Sequence, residues 1–207
     1  MLANLTIREF LCKTAGNEPV PGGGSISALN GAIALALTEM VANLTIGKKK
    51  YVNVEEEMRS IVITIAPVRE RLVEYIDADS DAYNRVFEAF KLPKDTDEQA
   101  ALRAQAVEQA TQEAAHIPMK VAEETCSLMD LIAAVAEKGN QNAVTDATVA
   151  MMAARTAVLG ALLNVRINLS SIKDEAFVKE MSDKANLLER TAIAKEQRLL
   201  NEIKDRL

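Results

Sequence analysis

Between Ile26 and Ile46 the chain carries one charged side chain, Glu39. So long a run with so little charge must be buried, either in protein or in lipid. Asn30, Glu39 and Asn43 are costly in a bilayer, and much of the remainder is alanine, glycine, serine and threonine. The expectation is a core helix of a soluble bundle. Pro21-Gly22-Gly23-Gly24-Ser25 leads into the run, and Lys48-Lys49-Lys50 follows it. Glycines at such a mouth let the backbone approach a ligand closely. Ser25 is expected to cap the helix, and the N-terminal N–H groups and dipole attract anions. Two accounts fit: a site for a long anionic small molecule, or a plain turn followed by a helix with a solvated lysine end. No Gly-Lys-Ser/Thr follows the glycines and no strand precedes them, which excludes a Walker A loop and a dinucleotide fingerprint.

A second apolar helix is predicted over Ala147–Ser171, broken only by Arg155, Asn164, Arg166 and Asn168, with Thr145 or Asn142 as its cap. The other segments are more amphipathic. Ile7, Phe10 and Leu11 predict a short helix over Leu5–Ala15, and Gly16–Gly24 is a loop. Ile61, Ile65, Val68 and Leu72 keep helical spacing within Val54–Leu92, where Pro67 should bend or split the helix. Thr96 caps a further helix, Asp97–Lys138, interrupted at Pro118, and Lys173–Leu207 closes the chain. No strand pattern and no composition break is evident. The predicted architecture is all-α, a single domain over 1–207 in which two apolar helices are wrapped by longer, proline-interrupted ones.

Only 3% of residues are aromatic and none is tryptophan, so small aliphatic side chains must build the core. A net charge of −6 argues against a general nucleic-acid binder and makes Lys48–Lys50 a local positive spot. Cys12 and Cys126 are too few for a disulfide framework, and Met1–Thr14 lacks the apolar centre of a signal peptide, so a cytoplasmic protein is expected. His116 is the single histidine and has no cysteine or carboxylate at ligand spacing, so no metal site is expected.

Buried polar groups need a partner or a task. Glu39 and Asn43 lie four apart on the first apolar helix; Asn164 and Asn168 lie four apart on the second, flanking Arg166. Asp77, Asp79 and Asp81 interrupt an apolar rhythm, and Asp79 shares a face with Tyr83. These residues either cross-link packed helices or line a site.

Several long motifs resemble one family: Pro-Val-Pro-Gly-Gly-Gly-Ser at 19–25, Met-Val-Ala-Asn-Leu-Thr-Ile-Gly-Lys-Lys-Lys-Tyr at 40–51, and Asp79–Tyr83 with Leu92-Pro93-Lys94. Asn142-Ala143-Val144-Thr145-Asp146 and Leu163-Asn164-Val165-Arg166-Ile167-Asn168 complete the set. They look like the formimidoyltetrahydrofolate cyclodeaminase / methenyltetrahydrofolate cyclohydrolase family, the C-terminal half of formiminotransferase-cyclodeaminase, here in its stand-alone bacterial form. The resemblance implies an all-helical homodimer acting on tetrahydrofolate derivatives, polyglutamylated ones among them, with no cofactor beyond the folate substrate. It implies deamination of 5-formimidoyltetrahydrofolate in histidine breakdown, or cyclohydrolysis of 5,10-methenyltetrahydrofolate at the same site. A non-catalytic helical binding protein is the alternative from another class. Within the resemblance, Asp79 is the candidate acid–base, since a carboxylate in a partly apolar setting has a raised pKa. Asn43, Asn164, Asn168 and Tyr83 are candidates to hold the pterin, Gly23, Gly24 and Ser25 to offer backbone N–H groups, and Lys48, Lys49, Lys50 and Arg166 to meet the glutamate tail.

Overall fold

The computed structural model describes residues 1–204, so the last three residues of the expected closing helix lie outside it. Six helices follow one another: α1 (Ile7–Thr14), α2 (Gly23–Asn43), α3 (Glu55–Phe90), α4 (Asp97–Lys138), α5 (Val144–Leu169) and α6 (Glu175–Lys204). Short 3₁₀ turns at Leu2–Asn4, Lys49–Val54 and Gln141–Ala143 link them, and no strand occurs among the described residues.

Local chemistry sets the ends. Thr6 and Glu9 form a reciprocal capping box on α1. Thr96 caps α4 as expected, its hydroxyl accepting from Gln99 N–H at 3.2 Å. Ser25 does not cap α2: that helix starts two residues earlier, with Gly22 at the cap position and no side-chain cap. Neither Thr145 nor Asn142 caps α5; Ala143 holds that position, and the Asn140 side chain accepts from Asn142 N–H instead. Gly47 ends the α2 turn in a left-handed conformation, φ 77°, which a glycine adopts at no steric cost.

Both internal prolines are absorbed without breaking their helices. α3 continues through Pro67 and α4 through Pro118, over 36 and 42 residues. A proline in a helix leaves the carbonyl four residues earlier without its N–H partner. For Pro67 that carbonyl belongs to Ile63, a solvent-facing residue. For Pro118 it belongs to Ala114, and its replacement partner helps build the site.

α2 and α5 occupy the centre. α2 packs against α5, α3 and α4; α4 also packs on α5, and α6 lies across α5 and α4. Small residues let the helices close up. A side chain at residue 31 would meet Thr125 and Leu72, and one at residue 160 would meet Ser27. Leu35, Ile65, Leu72, Met129, Ile132, Met151 and Leu162 are fully buried in the continuous core so formed. Along α2, Ala28 and Ala32 are buried while Ala36 is exposed. α2 and the 141–169 segment are long and apolar enough to cross a membrane; here the other helices bury 56% and 50% of their most apolar windows, which accounts for much of their hydrophobicity.

Candidate functional site

α2 stops at Gly23 while α3, α4 and α5 run on past it, so the space above its first turn is left open. A cavity of about 330 Å³ lies there, lined among others by Gly22–Gly24, Asp79, Tyr83, Ala114, Asn164 and Asn168. That volume falls at the lower end of small-molecule sites.

Asp79 projects from α3 into the N-terminal turn of α2. The Ser25 hydroxyl lies 3.1 Å from Asp79 Oδ2, and the Ser25 backbone N–H also bonds the carboxylate. The side chain thus takes an orphan N–H that Gly22, having no side chain, cannot reach. Ser25 is itself fully buried, its hydroxyl 2.8 Å from the Ile76 carbonyl and 3.2 Å from Ser80 Oγ. Burial holds the Asp79 carboxyl above its ordinary value of 3.8, and the two bonds from Ser25 pull partly the other way. The result is a carboxylate that is a stronger base than an exposed aspartate.

On the opposite wall, Asn164 and Asn168 sit one helical turn apart on α5. Asn164 Nδ2 donates to the Gly160 carbonyl at 2.8 Å. Asn168 Nδ2 donates to Asn164 O at 2.9 Å and to Ala114 O at 3.2 Å, the carbonyl that Pro118 orphans. Pro118 therefore links α4 to α5 beside the cavity. With their N–H groups directed at helix carbonyls, both amides keep acceptor oxygens for a ligand.

Not all candidate residues come together. Gly23, Gly24, Asp79, Tyr83, Asn164 and Asn168 line the cavity, with Ser25 directly behind Asp79. Asn43, the last residue of α2, and Lys48–Lys50 beyond it are exposed at the opposite end of that helix, roughly 30 Å away at 1.5 Å per residue. Arg166 turns towards α6, bonding Glu189 at 2.5 Å and Asn186 at 3.1 Å. Two residues are a rotation of about 200° on a helix, so Arg166 cannot share a face with Asn164 and Asn168. Glu39 pairs with Arg69 at 2.7 Å, tying α2 to α3. Asp77 accepts the Leu2 and Ala3 N–H groups at 2.5 and 3.2 Å and pins the N-terminus, while Asp81 is exposed. Pro19, Val20, Val86, Ala114 and Ile167 also line the cavity; three of them stand in the motifs quoted above, but none was among the candidate site residues. For Ala114 a signal existed, because a proline four residues later marks a free carbonyl.

The family model described as Formiminotransferase-cyclodeaminase matches residues 6–187. The chain belongs to this family. Among its relatives is the methenyltetrahydrofolate cyclohydrolase of Methylorubrum extorquens, 38% identical over 207 residues and covering 100% of both chains. Formimidoyltransferase-cyclodeaminase of Mus musculus is 33% identical over 176 residues, 85% of this chain but only 32% of that longer protein. The crystal structure of formiminotetrahydrofolate cyclodeaminase from Thermotoga maritima superposes with a TM-score of 0.88 at 32% identity, covering 99% and 98% of the two chains. The chain thus spans nearly the full length of the Methylorubrum and Thermotoga proteins.

Proposed function

We propose that this protein is a formimidoyltetrahydrofolate cyclodeaminase, converting 5-formimidoyltetrahydrofolate to 5,10-methenyltetrahydrofolate and ammonia. One observation carries the proposal. A partly buried carboxylate of raised pKa, Asp79, stands at a glycine-lined helix mouth opposite two amides in a folate-enzyme family.

The substrate enters as its amidinium cation. The N10 lone pair adds to the formimidoyl carbon, giving a tetrahedral carbon bonded to N5, N10 and the former imino nitrogen. Asp79 removes the N10 proton and returns it to that nitrogen. The C–N bond then breaks, ammonia departs, and the positive charge stays on the N5–C–N10 bridge. One carboxylate serves both steps, and its negative form faces a cation before and after. Such proton transfer contributes roughly 10²–10⁴-fold. The amide oxygens of Asn164 and Asn168 suit the N–H edge of a pterin, and the Tyr83 ring suits its face.

Cyclohydrolysis is the second reading, favoured by the full-length cyclohydrolase relative. Asp79 would take a proton from water adding to the methenyl carbon and deliver it to N5 as that bond opens. The protein is proposed to act as a cytoplasmic homodimer on polyglutamylated as well as monoglutamylated folate. Parallel steady-state assays with formimidoyl- and methenyltetrahydrofolate test the function. Faster release of ammonia supports the first reading, a faster hydrolytic rate replaces it with the second, and turnover of neither leaves a non-catalytic binder.

A further inference from the structure

The two reactions open to this site differ in their proton count. Cyclodeamination moves the N10 proton to the departing nitrogen, and Asp79 ends as the carboxylate it began as. Cyclohydrolysis adds one water to the methenyl cation and leaves an uncharged formyl group. One water proton reaches N5 through Asp79. The other, on the hydroxyl of the tetrahedral adduct, has no place in the product. As the C=O bond forms, Asp79 takes this second proton and ends the turnover protonated. It must be discharged before another water can add, while the product still fills the cavity in front of it.

Behind Asp79 stands a chain of two hydroxyls. Ser25 Oγ lies 3.1 Å from Asp79 Oδ2, 3.2 Å from Ser80 Oγ and 2.8 Å from the Ile76 carbonyl. Ser25 is fully buried and Ser80 is 6% exposed. Ser80 lines a second cleft of about 330 Å³, together with Met1, Lys13, Asp77, Asp81 and Asn84. Met1, Lys13, Asp81 and Asn84 are exposed, so this cleft meets solvent. Val20 lines both spaces, so the cleft adjoins the cavity. Tyr83 is the one other ionisable side chain in the cavity lining, so the front offers no second base of comparable strength. At the rear, Asp77 and Asp81 suit a departing proton, and Lys13 and the amino terminus are the cations of that cleft.

We infer that Ser25 and Ser80 form a proton relay that discharges Asp79 into the rear cleft during cyclohydrolysis. The relay's task rests on the cyclohydrolysis reading of the proposed function; the hydroxyl chain itself does not. A hydroxyl has one proton to give and two lone pairs to offer. With Asp79 ionised, Ser25 gives its proton to the carboxylate, the strongest acceptor in reach, and Ser80 gives its own to Ser25. With Asp79 protonated, the carboxyl O–H donates to Ser25 Oγ, Ser25 donates to Ser80 Oγ, and Ser80 turns to the cleft. Discharge follows that second arrangement. The carboxyl O–H bond breaks as a new Ser25 O–H bond forms. The original Ser25 proton passes to Ser80, and the original Ser80 proton passes to a solvent water, which leaves as hydronium. Rotation of both hydroxyls restores the chain. Ser80 touches no substrate and acts only through Asp79.

Ser80→Ala and Ser80→Thr, assayed on methenyltetrahydrofolate beside wild type, test the relay. Ser80→Ala is expected to lose at least about tenfold in kcat, a part of the roughly 10²–10⁴-fold that a proton transfer contributes. It should lose clearly less in kcat/KM, because discharge comes after the N5–C bond has opened. Ser80→Thr keeps the hydroxyl and should recover most of kcat. On formimidoyltetrahydrofolate, where Asp79 needs no discharge, Ser80→Ala should lose less than on the methenyl substrate. An unchanged kcat overturns the relay. So do equal losses in kcat and kcat/KM on both substrates, which would mean that Ser80 only holds Asp79 in place. Titration of the Asp79 carboxyl by carbon NMR, assigned with Asp79→Asn, judges the chain without turnover. Its midpoint should rise in Ser80→Ala, because Ser80 no longer supports the bond from Ser25 to the carboxylate, and an unmoved midpoint overturns the chain. Wild-type protein that hydrolyses no methenyltetrahydrofolate ends the cyclohydrolysis reading and the relay's task with it, whatever the titration gives.

Discussion

The Asp79 carboxylate fills the space that a Cβ on residue 24 would need, with Oδ2 only 2.6 Å from that position. Glycine at this position is a steric condition for the acid–base group to reach the first turn of α2. Gly24→Ala should therefore push Asp79 aside, costing about 1–3 kcal/mol of stability from overpacking and roughly a hundredfold in kcat from misplacement. At residue 23 the nearest atom to a new Cβ is Asn164 Nδ2, at 3.1 Å, on a side chain with room to yield. Gly23→Ala should lose clearly less. Steady-state kinetics with thermal melts on both variants give the ranking, and an equal loss would contradict it.

Asp79 also makes stability depend on pH. Its folded-state pKa lies above the ordinary 3.8, so the folded protein prefers the protonated form. That preference stabilises the fold fully below 3.8 and is lost as pH rises through the raised value. Asp79→Asn removes the titration. Its stability relative to wild type should rise from pH 3 towards neutrality, read by denaturant unfolding at a series of pH values. A difference that is flat with pH would contradict the burial of this charge.

Ser25 is the group that holds the Asp79 pKa down against burial. In Ser25→Ala the hydroxyl bond disappears and the backbone N–H bond stays. The acid limb of kcat/KM, where the base becomes protonated, should move to higher pH. An unmoved or lowered limb would mean that the limb reports another group.

Thr125 tests the core. Its hydroxyl is buried with no hydrogen-bond partner among the described residues, beside Gly31 at the α2–α4 contact. Valine keeps the shape without the unpaired oxygen. Thr125→Val should be neutral or stabilising by about 1 kcal/mol in chemical denaturation; a loss above about 1 kcal/mol would reveal a bond to this hydroxyl.

The helical fold was legible because apolar spacing is local information. The two nearly uncharged segments became the central helices, and Thr96 capped α4, as the sequence implied. Pro67 and Pro118 misled as signs of interruption, because a long helix held by tertiary packing tolerates one missing N–H where solvent or another side chain takes the carbonyl. Ser25 looked like a cap by type, but the Gly22 cap position and the Asp79 carboxylate, fifty-four residues away, decide the register. The Asp79–Tyr83 and Asn164–Asn168 pairs were readable from their spacing of four; Arg166, kept as a candidate from the sequence, stands two residues from each asparagine and so off their face. What spacing cannot give is depth. Nothing local places Lys48–Lys50 at the far end of α2 from the cavity, or puts the Ala114 carbonyl within reach of Asn168.

Turnover by Asp79→Asn is the most direct measurement of the central claim. With formimidoyl- and methenyltetrahydrofolate assayed side by side, kcat should fall at least about a hundredfold on whichever substrate the wild type prefers, while the helical circular dichroism is unchanged. Near-wild-type turnover by a folded Asp79→Asn protein would contradict the account.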